Sequence, residues 1–147
     1  MSLVFKIKPF EALSLYELYS VLQLRAEVFV VEQNCVYQDI DGKDMKALHV
    51  IGEFEGTTVA YCRLFKSGDY FDQASIGRVI VKENFRDKKW GHDLIKEAVS
   101  GVQHHFGESQ ITISAQLYLK KFYESHGFKQ TSDEYLEDGI PHIEMKK

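Results

Sequence analysis

Near the start of the chain the hydrophobic positions change period once. Leu3, Phe5 and Ile7 alternate with Val4, Lys6 and Lys8 up to Pro9, the pattern of a short strand stopped by proline. Beyond it, Leu15, Leu18, Tyr19, Leu22, Phe29 and Val30 recur at helical spacing, and Ser14 with Glu17 three residues later has the form of a capping box. That helix runs out in VVEQN, because Asn34 and the polar stretch YQDIDGKD cannot continue an apolar face. Ala47 to Glu55 then predicts a strand, Glu55-Gly56 a tight turn, and TVAYCRLFK a second strand, antiparallel because so few residues join the two. A looser turn from Ser67 to Gln73 leads to a third strand, Ser75 to Val81.

From Ile76 to Leu94 the chain reads as an apolar strand, a basic loop with one glycine, and the start of a helix. Leu94, Ile95, Ala98, Val99, Val102 and Phe106 share the inner face of that helix, which Gly107 ends. QITISAQ is the next strand, parallel to the third because a helix crosses between them. QLYLKKFYESHGF predicts a short helix stopped at Gly127; Phe128 to Ser132 a strand; Asp138-Gly139 a turn; IPHIEM the last strand. The predicted order is β-α-β-β-β-α-β-α-β-β, a fold of the α/β (α+β) class with a mixed central sheet and helices packed on it.

Length and composition narrow the class. A chain of 147 residues, 44% hydrophobic and 27% charged, fits one domain, residues 1–147, with a sizeable core. No run of roughly 18 apolar residues is present to cross a bilayer, and MSLVFKIKPF lacks the apolar core of a signal peptide, so a cytoplasmic location is expected. Cys35 and Cys62 lack CxxC spacing and read as reduced side chains. A net charge of −4 argues against general affinity for nucleic acid. His104 and His105 are adjacent, cannot share a helix face and make a poor metal pair, so no metal is expected.

The chemistry concentrates in the loop after the third strand. A strand that empties into a helix N-terminus aims backbone N–H groups and the positive end of the helix dipole at one spot, and Arg86, Lys88 and Lys89 add positive charge there. An anion, phosphate above all, suits such a spot. An ordinary connection with solvated lysines has the same composition.

Four blocks carry a resemblance over nearly the whole chain: LQLRAEVFVVEQNCVYQDIDG, IGRVIVKENFRDKKWGHDLI, AQLYLKKFYESHGF and LEDGIPHIEM. In this order they are similar to the GNAT superfamily of N-acetyltransferases, in its ElaA-like branch. The resemblance implies an acetyl-CoA-dependent acyltransferase that acts on a primary amine of a small molecule or peptide; charge and composition leave neither nucleic acid nor membrane as an expected partner. It also implies a splayed parallel strand pair that holds the pantetheine arm against Ile80 and Val81. The pyrophosphate loop of the family, Arg/Gln-x-x-Gly-x-Gly/Ala, falls on Arg86, Lys89 and Gly91, with Asp87, Lys88, Trp90 and His92 supplying further amides. Lys89 stands where the pattern has its first glycine, and the loop works with lysine there if the residue avoids a left-handed conformation or contact with the phosphate.

Spacing alone favours Tyr123 in KKFYESHGF as a core residue beside Phe122; the match to the family's general acid reverses that reading. A phenol stays protonated at neutral pH and can donate to a leaving thiolate. For a base, Glu32, Asp39, His49 and His142 are the titratable residues the topology can bring to the acceptor side. Glu32 is preferred for its place in the first block and His142 is second, since imidazole exchanges protons near neutrality. The acidic segment from Glu32 to Asp44 reads either as an attractor for a cationic amine or as a solvated loop. Arg25 and Arg78 read as structural, Arg78 pairing with a carboxylate or reaching the cleft. Cys35 and Cys62 lack a histidine partner for covalent catalysis, which favours direct transfer. A non-catalytic CoA-binding sensor or interaction module is the competing reading, and the last strand, as an exposed edge, offers a route to a homodimer.

Overall fold

The computed structural model describes residues 2–147. In chain order it contains β1 (Val4–Pro9), α1 (Leu15–Arg25), β2 (Leu48–Phe54), β3 (Thr57–Phe65), β4 (Ala74–Val81), α2 (Trp90–Phe106), β5 (Ile111–Gln116), α3 (Lys120–Glu124), β6 (Lys129–Gln130), β7 (Tyr135–Glu137) and β8 (Ile140–Lys146). The strands make one eight-stranded mixed sheet, ordered β1-β2-β3-β4-β5-β8-β6, with β7 also paired to β8. The predicted order of elements holds through α3, after which there are three strands rather than two. The addition is β7. Asp138 and Gly139, at φ 51° and 76°, close a two-residue hairpin that sets Glu137 opposite Ile140 and Tyr135 opposite His142. Strand β8 lies between β5 and β6, so it is not the open edge on which the homodimer expectation rested.

Alternation along the central strands divides the core in two. Val50, Cys62 and Leu64 turn towards Leu94, Ile95, Ala98 and Val102 of α2. Ile51, Tyr61 and Ile80 turn the other way, towards Val21, Leu24, Val28 and Phe29. Helices therefore cover both faces of the sheet. The inner face of α2 is the one its periodicity predicts, and Gly107 at φ 67° ends the helix.

Helix α1 is different. Its capping box forms, with the Glu17 amide donating to Ser14 Oγ at 3.0 Å and the Ser14 amide to Glu17 Oε1 at 2.8 Å. Its inner face is nevertheless rotated from the expected one: Leu15 is 84% and Tyr19 73% exposed, while Val21, Leu24, Arg25 and Val28 are buried. A buried arginine takes the inward position that apolar periodicity assigns to a hydrophobe. The helix then widens into π-helical turns over Ala26–Glu32, where the Gln33 amide reaches the Val28 carbonyl at 3.3 Å and that of Cys35 the Val30 carbonyl at 3.1 Å. The wider turn buries Val28 and Phe29 together and brings Glu32 to the sheet's central gap.

The acidic connection after α1 is neither a solvated loop nor an attractor with free charges. Arg25 Nε lies 2.9 Å from Asp39 and its Nη1 2.7 Å from Asp44; Arg63 reaches Asp41 at 2.5 Å and Asp44 at 2.8 Å; Arg78 Nε lies 2.8 Å from Asp39. Burial works to raise the Asp44 carboxyl, but hydrogen bonds from Arg25 and Arg63 outweigh it and hold the group below the usual carboxylate range. The three arginines thus fasten the connection to the sheet. His49, also weighed as a base, is buried there between the Tyr61 hydroxyl at 2.6 Å and the Asp44 carbonyl at 2.9 Å.

Candidate active site

Parallel strands β4 and β5 pair only at Ala74 with Ile111 and Ser75 with Thr112, then diverge. Two local features separate them. In β4 a bulge sets Arg78 and Val79 against Cys62 alone, between the Arg63–Gly77 and Tyr61–Ile80 pairs, with Arg78 at φ 51°. Strand β5 meanwhile pairs along its length with β8, from Thr112–Lys146 to Gln116–His142. The side of β4 beyond Ser75 that faces the gap has no strand partner, which leaves backbone polar groups to be satisfied by something else. A cavity of about 480 Å³ fills this gap.

One end of the cavity is the start of α2. Lys89, Gly91 and His92 line it, as do Ile80, Val81 and Arg86. The first-turn amides of a helix have no intrahelical partner, although that of His92 turns back to the Lys89 carbonyl at 3.2 Å. A Cβ on Gly91 would meet only the Phe122 ring, at 3.5 Å, so the fold itself does not demand glycine there. Lys89 is left-handed, at φ 60° and ψ 26°, contrary to the condition under which lysine fits this loop without strain. The side chains of Asp87, Lys88 and Trp90 do not line the cavity. Trp90 stacks on Phe85 at 5.6 Å and packs against Phe54, with the Lys88 ammonium over its ring. Arg86 is pinned rather than mobile: its Nε donates to the Val81 carbonyl at 2.9 Å, and its two terminal nitrogens reach the Glu32 carboxylate at 2.6 and 2.8 Å.

Tyr123 lines the cavity from α3 and is only 6% exposed. Burial pushes its phenol above the ordinary value, so it stays protonated at neutral pH. The Cys62 thiol is likewise pushed up by burial, and Cys35 Sγ lies 3.2 Å from the Asp138 carbonyl. Beside Tyr123, His92 Nδ1 and His126 Nε2 are 2.9 Å apart, and burial, followed by His92, lowers the pKa of His126.

At the other end stand groups that sequence reasoning missed. Glu137 and Asp138 line the cavity with His142. The signal for Glu137 lay in the Asp138-Gly139 turn, since a two-residue hairpin puts residues 135, 137, 140 and 142 on one face. Asp39 and His49 do not line this cavity; Glu32 and His142 do.

A bulged, splayed strand pair with a helix N-terminus at one end and a buried phenol in its wall defines a class of acyl-transferring protein, and the matching family model, Acetyltransferase (GNAT) domain, spans residues 17–147. The chain belongs to the GNAT acetyltransferase family, in its ElaA-like branch, and is an acyltransferase. It is 45% identical to Protein ElaA of Escherichia coli K12 over 92% of this chain and 90% of that protein. The crystal structure of E. coli ElaA superposes with a TM-score of 0.92 at 41% identity, covering 99% of each chain. That of an acyl-CoA N-acyltransferase from Pseudomonas aeruginosa superposes with a TM-score of 0.93 at 38% identity, again over 99% of each. No helix of the described residues is long and apolar enough to cross a membrane.

Proposed function

We propose that the protein is an acetyl-CoA-dependent N-acetyltransferase that moves an acetyl group to a primary amine by direct attack within a ternary complex. The observation that carries this reading is the gap between β4 and β5, with its unpaired strand edge, the α2 N-terminus at one end and Tyr123 in its wall. The amides of a pantetheine arm match the strand edge at Ile80 and Val81. A pyrophosphate suits the amides of Trp90 and Gly91 with the Lys89 ammonium beside them. Arg86 holds the end of β4 to Glu32, so Glu32 positions the arginine and His142 takes the role of base. The acceptor ammonium gives a proton to His142, and its nitrogen attacks the acetyl carbon. The C–N bond forms as the C–S bond breaks, and Tyr123 protonates the leaving sulfur. The second nitrogen proton returns to the phenol through solvent. Neither cysteine has a histidine to activate it, which supports direct transfer over an acetyl-enzyme.

Release of free CoA from acetyl-CoA in the presence of a panel of amines tests the reading. Tyr123→Phe is expected to lower kcat by about 10²-fold, the lower end of general acid catalysis. An unchanged kcat removes Tyr123 from the mechanism. Acetyl-CoA binding with no thiol release across the panel favours the sensor reading instead.

A further inference from the structure

The charged groups of the cavity fall into two sets, Lys89 with the start of α2 and, away from it, Glu137 and Asp138 beside His142. His142 Nδ1 lies 2.7 Å from the Ile140 carbonyl. A carbonyl only accepts, so Nδ1 carries the hydrogen, and in the neutral tautomer Nε2 is the bare nitrogen. That Nε2 lies 3.4 Å from Glu137 Oε2, so in this tautomer two acceptors face each other and a donor placed between them would serve both. His142 is 6% exposed and lines the cavity. Glu137 is held from behind: Ser114 Oγ donates to its Oε1 at 3.1 Å, and Ser114 Oγ is 2.5 Å from the Tyr135 hydroxyl, which can donate in turn. One carboxylate oxygen is thereby fixed and the other left available.

No lysine or arginine of the described residues is paired with Glu137. Arg78 on the same wall is paired with Asp39, and Arg63, beside an adjoining cavity of about 50 Å³ that Glu137 also lines, is paired with Asp41 and Asp44. Arg86 is taken by Glu32. Among the described residues lining the main cavity, the charges without an opposite partner are Lys89 at the α2 end and Asp138 and Glu137 at this one, Glu137 meeting only the imidazole.

We propose that Glu137 is the anchor for the acceptor: it receives the substrate ammonium beside His142 Nε2 and selects amines that carry no carboxylate near the reacting nitrogen. This rests on the acetyl-transfer reading and adds its acceptor class, a cationic alkylamine or diamine. The ammonium donates one N–H to Glu137 and another to His142; the second proton passes to Nε2, which leaves the nitrogen lone pair free to attack. A carboxylate on the acceptor would lie against Glu137 and Asp138 and be repelled.

The test is calorimetric titration of pentylamine, 1,5-diaminopentane and 5-aminopentanoate into the full chain saturated with CoA, for the wild type and Glu137→Gln. The wild type is expected to bind the first two more tightly than 5-aminopentanoate. Glu137→Gln is expected to weaken them by about ten- to a hundredfold, the range of a charge-assisted hydrogen bond, and to narrow the discrimination. Its acetyl-CoA affinity should stay at the wild-type value, which also reports that the variant is folded. Equal amine affinities in both proteins, or no amine binding by the wild type, overturn the assignment. Thiol release separates the two ideas: release that is insensitive to Glu137→Gln leaves acetyl transfer standing without this anchor, whereas amine binding lost in the variant with no release by the wild type keeps the anchor and removes the transfer.

Discussion

Two charged connections of similar appearance, residues 39–44 and residues 82–89, end in opposite physical states. In the first, Asp39, Asp41 and Asp44 are met by Arg25, Arg63 and Arg78, arginines that lie on a helix and two strands far away in the chain. In the second, Lys82 and Arg86 are paired with Glu27 and Glu32 and Lys88 covers the Trp90 ring, while Lys89 lines the cavity with no carboxylate opposite. The first segment has all three of its carboxylates engaged in holding the sheet to α1; the second leaves one cation, Lys89, unmatched at the cavity. The difference lies in whether the topology brings an opposite charge to meet each group, and local composition does not contain that information.

The largest effect that can break this contrast is on stability. Arg25 is fully buried, and Arg25→Met removes one cation from a network whose carboxylates stay behind. A loss of about 3–5 kcal/mol is expected, as for other broken buried pairs. Lys88→Ala in the basic loop should change stability by no more than about 0.5 kcal/mol, the usual range at a surface site. Urea unfolding of both variants measures the difference. Similar midpoints would mean that the arginine network is no more structural than the loop.

Acid sharpens the same contrast. Burial keeps the pKa of His49 below its ordinary 6.5, so the unfolded chain takes up a proton that the folded one refuses, and stability is lost as pH falls below about that value. Asp41 and Asp44, held below their ordinary 3.8 against the opposing effect of burial by the arginines, add a second loss as pH falls beneath it. Both contributions have the same sign. The unfolding midpoint should therefore decline in two steps on acidification, and His49→Gln should remove the first. A midpoint flat from pH 7 to 5 in the wild type would contradict the burial of a neutral His49.

What was legible in the sequence was what short stretches of chain determine. The Ser14–Glu17 capping box, the inner face of α2, the turn at Glu55-Gly56 and the place of Tyr123 on α3 each depend on a few neighbouring residues. The rotated face of α1 was not legible, because Arg25 is buried only by virtue of Asp39 and Asp44, fourteen and nineteen residues away. The engagement of Glu32 by Arg86 spans fifty-four residues. Glu137 is intermediate: its hairpin is local, but its significance depends on β5 bringing Ser114 alongside and on β8 presenting His142.

The smallest effect concerns Lys89, where the two roles of the basic loop oppose each other. Its left-handed backbone, at φ 60°, costs a non-glycine residue roughly 1–2 kcal/mol. Lys89→Gly relieves that strain but gives the unfolded chain more freedom, worth about 0.4–1 kcal/mol in the other direction. A net gain between zero and about 1.5 kcal/mol in urea unfolding is expected. The same change removes the unmatched cation at the α2 end of the cavity, so acetyl-CoA affinity should fall by about two- to fivefold at low salt, the scale of an exposed ion pair, and the deficit should shrink as salt is added. A variant that is more stable and binds acetyl-CoA more weakly means that lysine is kept here for the ligand at the fold's expense. A variant with unchanged affinity at low salt means that the helix amides alone hold the anion, and that the basic loop is as structural as the acidic one.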